Sequence, residues 1–87
     1  MEYALLIKPS AESQMNKLSS SMRAKIVEKL EKLTEDPRPN GAVKLKGPHN
    51  FWRIRVGDYR VIYSIDDATR IIDVSAVRHR RDAYRHL

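Results

Sequence analysis

Phe51-Trp52-Arg53-Ile54-Arg55-Val56-Gly57-Asp58-Tyr59-Arg60-Val61-Ile62-Tyr63-Ser64-Ile65 is two alternating runs on either side of a Gly-Asp pair. Such a pair predicts a two-residue hairpin, because a primed turn needs positive φ and glycine adopts it without steric cost. Folding on that turn sets Val56 opposite Tyr59, Arg55 opposite Arg60, Ile54 opposite Val61, Arg53 opposite Ile62 and Trp52 opposite Tyr63. Side chains alternate across a strand, so Trp52, Ile54, Val56, Tyr59, Val61, Tyr63 and Ile65 share one face, which reads as core. The other face carries Arg53, Arg55 and Arg60, with Arg55 and Arg60 about 5 Å apart at Cβ. Like charges set opposite each other cost stability, so three guanidinium groups held together point to an anion among them. An RNA or DNA phosphate is the obvious candidate.

Working outward, Met1 to Lys8 reads as a short strand ended by Pro9-Ser10, with Ser10 as the cap of a helix through Ala11, Met15 and Leu18. A serine cluster, Ser19-Ser20-Ser21, precedes a second helix whose apolar positions are Met22, Ile26, Val27, Leu30 and Leu33, with Glu28 and Lys32 paired four residues apart. Glu35 to Gly41 is a loop. Ala42 to Lys46 forms a brief strand in which Val43 and Leu45 alternate with Lys44 and Lys46. After Ile65 comes a second turn, Asp66 to Thr69, and a last strand from Arg70 to His79. Strict alternation places Ile72, Val74 and Ala76 on one side of that strand and Ile71 and Val77 on the other, a two-sided apolar pattern expected of a central strand. The predicted fold is α+β in a single domain, residues 1–87: strand, helix, helix, four strands, with the helical pair packed on one face of a mostly antiparallel sheet.

The 87 residues are 41% hydrophobic and carry a formal charge of +6 with no cysteine. That excludes a disulfide framework and a cysteine-based metal site, and fits a reducing cytosol. The apolar run at the N-terminus is too short for a signal peptide or a membrane span, so a cytoplasmic protein without membrane association is expected. Residues 1–36 balance six basic against six acidic side chains, whereas residues 37–87 hold eleven basic and five acidic ones. The basic type also changes, from five lysines and one arginine to two lysines and nine arginines. Arginine binds phosphate through a planar fork, while lysine acts as a point charge. The acids Asp66, Asp67, Asp73 and Asp82 show no clustered metal-ligand spacing, so no metal or other cofactor is expected.

The order of elements, Leu45-Lys46-Gly47, the stretch from Trp52 to Tyr63 and the ending Val77-Arg78-His79-Arg80-Arg81-Asp82-Ala83-Tyr84-Arg85 resemble the RelE branch of the RelE/ParE toxin superfamily. The resemblance spans essentially the whole chain. It implies the toxin of a type II toxin-antitoxin system, an mRNA interferase that enters the ribosomal A site, next to 16S rRNA, and cuts mRNA by attack of a 2′-hydroxyl on the adjacent phosphate. Carried over position by position, the catalytic residues are Arg53, Arg55, Arg60, Arg80 and Tyr84. It also implies a RelB-like antitoxin, with oligomers formed through that complex. Well-known members carry lysines at the first two positions, and arginine effectively keeps its proton. Arg53 is therefore ill suited to act as a general base, while Arg55, Arg60 and Arg80 can neutralise charge on the phosphate.

Lys44, Lys46, Arg78 and Arg81 are candidate RNA contacts that position a strand without specifying its sequence, with a solvated strand face as the plainer alternative for the two lysines. His79 reads as a packing or tail-anchoring residue and His49 as a polar loop residue. The set is strong in electrostatics and weak in acid-base groups, so imposed geometry must carry much of the rate, which predicts dependence on the ribosome. Two other functions remain open. One is a ParE-type DNA gyrase inhibitor, and the other a catalytically weak RNA-binding relative.

Overall fold

The computed structural model describes residues 2–47 and 49–83. Its elements are β1 (Ala4–Ile7), α1 (Pro9–Asn16), α2 (Ser20–Leu33), β2 (Val43–Lys44), β3 (Phe51–Val56), β4 (Tyr59–Asp66), β5 (Ile71–His79) and α3 (Arg80–Ala83). The five strands form one sheet in the order β1-β5-β4-β3-β2, parallel only between β1 and β5. This is the expected α+β arrangement, with the pairing across the β3–β4 hairpin falling in the register that the Gly-Asp turn dictates.

Gly57 takes φ 59 while Asp58 does not leave the negative-φ region, the pattern of a II′ turn. A Cβ on Gly57 would also lie 3.0 Å from Met22 Cε, so the start of α2 rests directly on the turn. Gly57→Ala is expected to cost roughly 1–2 kcal/mol of unfolding free energy from the left-handed backbone alone. Urea denaturation reads this directly, and an unchanged midpoint would show that the turn relaxes to another type.

Both helices cover the face that carries Ile54, Val61, Tyr63, Ile65, Ile72 and Val74. From α1 come Ala11 and Met15, and from α2 Ile26, Leu30 and Leu33, all buried. Ser19 caps α2 by accepting from the Met22 N–H at 3.2 Å. Two details differ from expectation. Helix α1 begins at Pro9, whose missing N–H suits the first turn, so Ser10 lies inside the helix and its hydroxyl donates to the Ser75 carbonyl instead of capping. Val27 remains 38% exposed, because the stripe facing the sheet follows Met22, Ile26, Leu30 and Leu33.

Strand β5 is central, yet its alternation is broken. Tyr63 pairs with Val74 and Ile62 with Ala76, which leaves Ser75 as the extra residue of a β-bulge. Beyond the bulge the parity changes, so Val77 joins Ile72 and Val74 in the core while Ala76 lies beside Ile62 on the opposite face. Strict counting from Ile72 would have sent Arg78 toward the helices. The bulge turns it to the open face, level with Arg60. Past the end of β1 the outer edge of β5 is closed by α1, where Gln14 Oε1 accepts from the Val77 N–H at 2.7 Å.

The sheet end remote from Gly57 is clasped by side chains. Arg38 forks onto Asp67 at 2.7 and 3.2 Å, and the Tyr3 hydroxyl donates to the same carboxylate at 2.6 Å. The Arg38 guanidinium also lies 5.3 Å from the Trp52 ring, which packs against the core. Hydrogen bonds from Arg38 first and Tyr3 second hold the Asp67 carboxyl down at about 2. Its contribution is therefore complete above the ordinary carboxylate range and is lost as the pH falls toward 2.

Candidate functional site

Three arginines form one row across three strands. Arg55 on β3 pairs with Arg60 on β4, and Arg60 pairs with Arg78 on β5, so their side chains leave the same open face at cross-strand spacings of about 4.5–5.5 Å. Arg55 is exposed and Arg78 half-buried, whereas Arg60, in the middle of the row, is only 7% exposed. Arg60 is thus the floor of the site rather than part of its rim. The Arg78 Nε is shielded from solvent and makes no hydrogen bond within the described residues.

A second basic pair is brought to this row by α3. The Arg80 N–H donates to the Asp58 carbonyl at 2.7 Å, which ties the start of α3 to the hairpin turn. The Arg81 N–H donates to His79 Nδ1 at 3.3 Å, and the His79 ring stands edge-on to Tyr59 with centroids 5.3 Å apart. His79 therefore anchors the tail, as its position in the sequence suggested. The result is a cleft of about 450 Å³ lined by Arg55, Gly57, Asp58, Tyr59, Arg60, Arg80 and Arg81. Among the described residues, no carboxylate forms an ion pair with Arg55, Arg80 or Arg81. Four guanidinium groups against one carboxylate, that of Asp58, give the cleft a net positive charge suited to an anion.

Not every candidate lies there. Arg53 lines a separate groove of about 280 Å³ with Lys29, Asn40, Gly41, Val43, Ile54 and Arg55. Arg78 borders a third, between β5 and α1, with Gln14, Lys17 and Leu18. Lys44 pairs with Trp52, so the register puts it on the helix-covered side of the sheet, and Val43, not Lys44, stands level with Arg53 on the open face. Lys46 is exposed in the loop before β3 and lines neither the cleft nor these grooves. Tyr84 lies outside the described residues.

Two residues went unnoticed in the sequence. Asp58 was read only as a turn residue, although a turn between two arginine-bearing strands is bound to edge their cleft. Lys29 had a clearer signal, since it is seven residues after Met22 and three after Ile26, inside the sheet-facing stripe of α2. Among the described residues, no group of three or more His, Asp or Glu side chains could hold a metal ion, and no helix is long and apolar enough to cross a membrane.

Comparison with known proteins agrees with this architecture. The family described as ParE toxin of type II toxin-antitoxin system, parDE, matches residues 5–84. The RelE-RelB complex from Pyrococcus horikoshii contains a similar chain, 27% identical, with a TM-score of 0.83 over 92% of this chain and 97% of that one. The isolated RelE toxin of E. coli is 26% identical, with a TM-score of 0.77 over 98% and 99% of the two chains. In the RelB-RelE antitoxin-toxin complex from Methanococcus jannaschii the values are 26% and 0.76, over 94% and 98%. Comparison with curated protein sequences gives no significant match. With its family match from strand β1 into the basic tail, and the RelE fold carrying an arginine cleft at the hairpin turn, this chain belongs to the ParE toxin family of type II toxin-antitoxin systems, within the RelE/ParE superfamily.

Proposed function

We propose that this toxin is an endoribonuclease that cuts mRNA in the ribosomal A site without a metal ion. The observation that carries this is the convergence of Arg55, Arg60, Arg80 and Arg81 on one cleft. The 2′-oxygen attacks the adjacent phosphorus and gives up its proton, the bond from phosphorus to the 5′-oxygen breaks, and that oxygen takes a proton. The products are a 2′,3′-cyclic phosphate and a 5′-hydroxyl. Arg55, Arg60 and Arg80 hold the phosphate and answer the charge that develops on its oxygens, through hydrogen bonds that strengthen toward the transition state. Tyr84 stacks on a base or moves a proton. No arginine can serve as a base at neutral pH. The ribosome then supplies in-line geometry, and orientation of this kind is worth roughly 7–11 kcal/mol.

The complexes of RelE with RelB from two archaea support a cognate antitoxin for this chain as well. We assign it an acidic, partly apolar segment that folds on binding and covers the arginine cleft, in a cytoplasmic complex.

Purified toxin, freed of its antitoxin, is added to programmed ribosomes in their usual magnesium buffer and the mRNA 5′ ends are mapped. New ends at the A-site codon, absent without ribosomes, are expected. Intact mRNA on ribosomes that still bind the protein would sink the nuclease reading. The family match to ParE favours one other target, DNA gyrase. Loss of supercoiling activity before translation stops would select that target instead.

A further inference from the structure

We propose that the groove along the outer edge of β3 is a second phosphate subsite, in which Lys29 and Arg53 hold the RNA strand one nucleotide away from the phosphate in the main cleft. This rests on the ribonuclease reading and extends it to a residue on α2.

Strand β2 pairs with β3 only at Val43–Arg53 and Lys44–Trp52, so the edge of β3 beyond Arg53 is left without a strand partner among the described residues. The groove of about 280 Å³ opens there, and Arg55 lines both it and the 450 Å³ cleft. The two spaces therefore meet at one side chain. The groove has three cations in its wall, Lys29, Arg53 and Arg55, and no acid. Three cations outside the two spaces are paired within the protein, Lys8 with Asp73 at 2.9 Å, Lys32 with Glu28 at 3.4 Å and Arg38 with Asp67 at 2.7 Å. Among the described residues Lys29 and Arg53 have no such partner.

The position of Lys29 is itself informative. It is half-buried within the stripe of α2 that faces the sheet, where an apolar side chain would pack at no electrostatic cost. A charge kept there without a protein counter-ion is best satisfied by an anion from outside. The spacing fits a strand. Arg53 and Arg55 are two residues apart on one face of β3, about 6.6–6.8 Å along the strand, close to the separation of successive phosphates in an extended single strand. Asn40 and Gly41 add hydrogen-bonding groups without negative charge, and Val43, 44% exposed, adds an apolar patch for a sugar or base. Holding the RNA at two points fixes its direction across the cleft without reading its sequence.

The test uses antitoxin-free protein and 2′-O-methyl RNA oligonucleotides of two to six nucleotides, which bind but cannot self-attack, followed by fluorescence anisotropy between low and moderate salt. Wild type should bind more tightly as the oligonucleotide lengthens. Lys29→Gln and Arg53→Gln should each remove about tenfold of that gain and lower the salt slope by about 0.7 for the longer ligands. Lys25→Gln, which removes an exposed charge from the same helix away from the groove, should keep the wild-type gain. If both groove variants keep the full gain while Arg60→Ala loses binding, the subsite is refuted and the main cleft stands. If no oligonucleotide binds at any length, both fall.

Discussion

Programmed ribosomes treated with Arg60→Ala toxin are expected to retain their mRNA, with cleavage at the A site slowed by a factor of roughly 10²–10³ relative to wild type. The size of the effect follows from where Arg60 lies. It is the middle member of the Arg55–Arg60–Arg78 row and only 7% exposed, so its guanidinium acts from a partly dehydrated floor where charge is weakly screened. The other cations of the cleft, Arg55, Arg80 and Arg81, approach from the hairpin and the tail and cannot take its place. Removing the side chain loses its packing and its contacts while relieving repulsion from Arg55 and Arg78. Thermal denaturation checks that the variant is still folded. Arg60→Lys retains a charge but not the planar fork, and should recover only part of the rate. A folded Arg60→Ala protein that cuts mRNA at nearly the wild-type rate would remove the cleft from the chemistry.

The hairpin and its arginine face were legible because a Gly-Asp turn and period-two alternation act over a few residues, and local rules suffice to fix the register. Both helices were legible from their apolar spacing. Arg78 was legible as a candidate RNA contact but its face was not, because the bulge at Ser75 arises from how β5 must meet both β4 and α1, and no residue in Val74-Ser75-Ala76-Val77 announces it. The face of Lys44 depends on where a two-residue strand pairs, which alternation within so short a run leaves open. Convergence of Arg80 with Arg55 was suggested by family likeness, but its physical cause, the hydrogen bond from the Arg80 N–H to the Asp58 carbonyl, joins residues that only the closed sheet brings together. Lys29 was overlooked for the opposite reason. A lysine on a helix is ordinary, and only the groove at the edge of β3 gives its place within the buried stripe a meaning.

Tyr63→Phe should destabilise the protein by about 1–3 kcal/mol at neutral pH and make that loss shrink as the solution becomes alkaline. Tyr63 is fully buried in the middle of the sheet, and its hydroxyl donates to the Pro37 carbonyl at 2.7 Å. That bond fastens the loop carrying Arg38 and Asn40 to the core. Phenylalanine fills the same space but leaves a buried carbonyl without its donor. Burial pushes the Tyr63 hydroxyl up to about 12, whereas in the unfolded chain it titrates near 10. Its full stabilisation is present below pH 10. As the pH rises from 10 toward 12 the unfolded chain loses this proton while the folded one keeps it, and the native state is weakened by about 1.4 kcal/mol per unit. The phenylalanine variant lacks this term, and every other titrating group, Tyr3 included, is common to the two proteins and cancels in their difference. Urea unfolding at a series of pH values should therefore show the two stabilities converging between pH 10 and 12. A constant gap across that range would mean that the hydroxyl ionises as readily in the folded protein as in the unfolded chain, and that the loop near the β3 groove is not held by this bond.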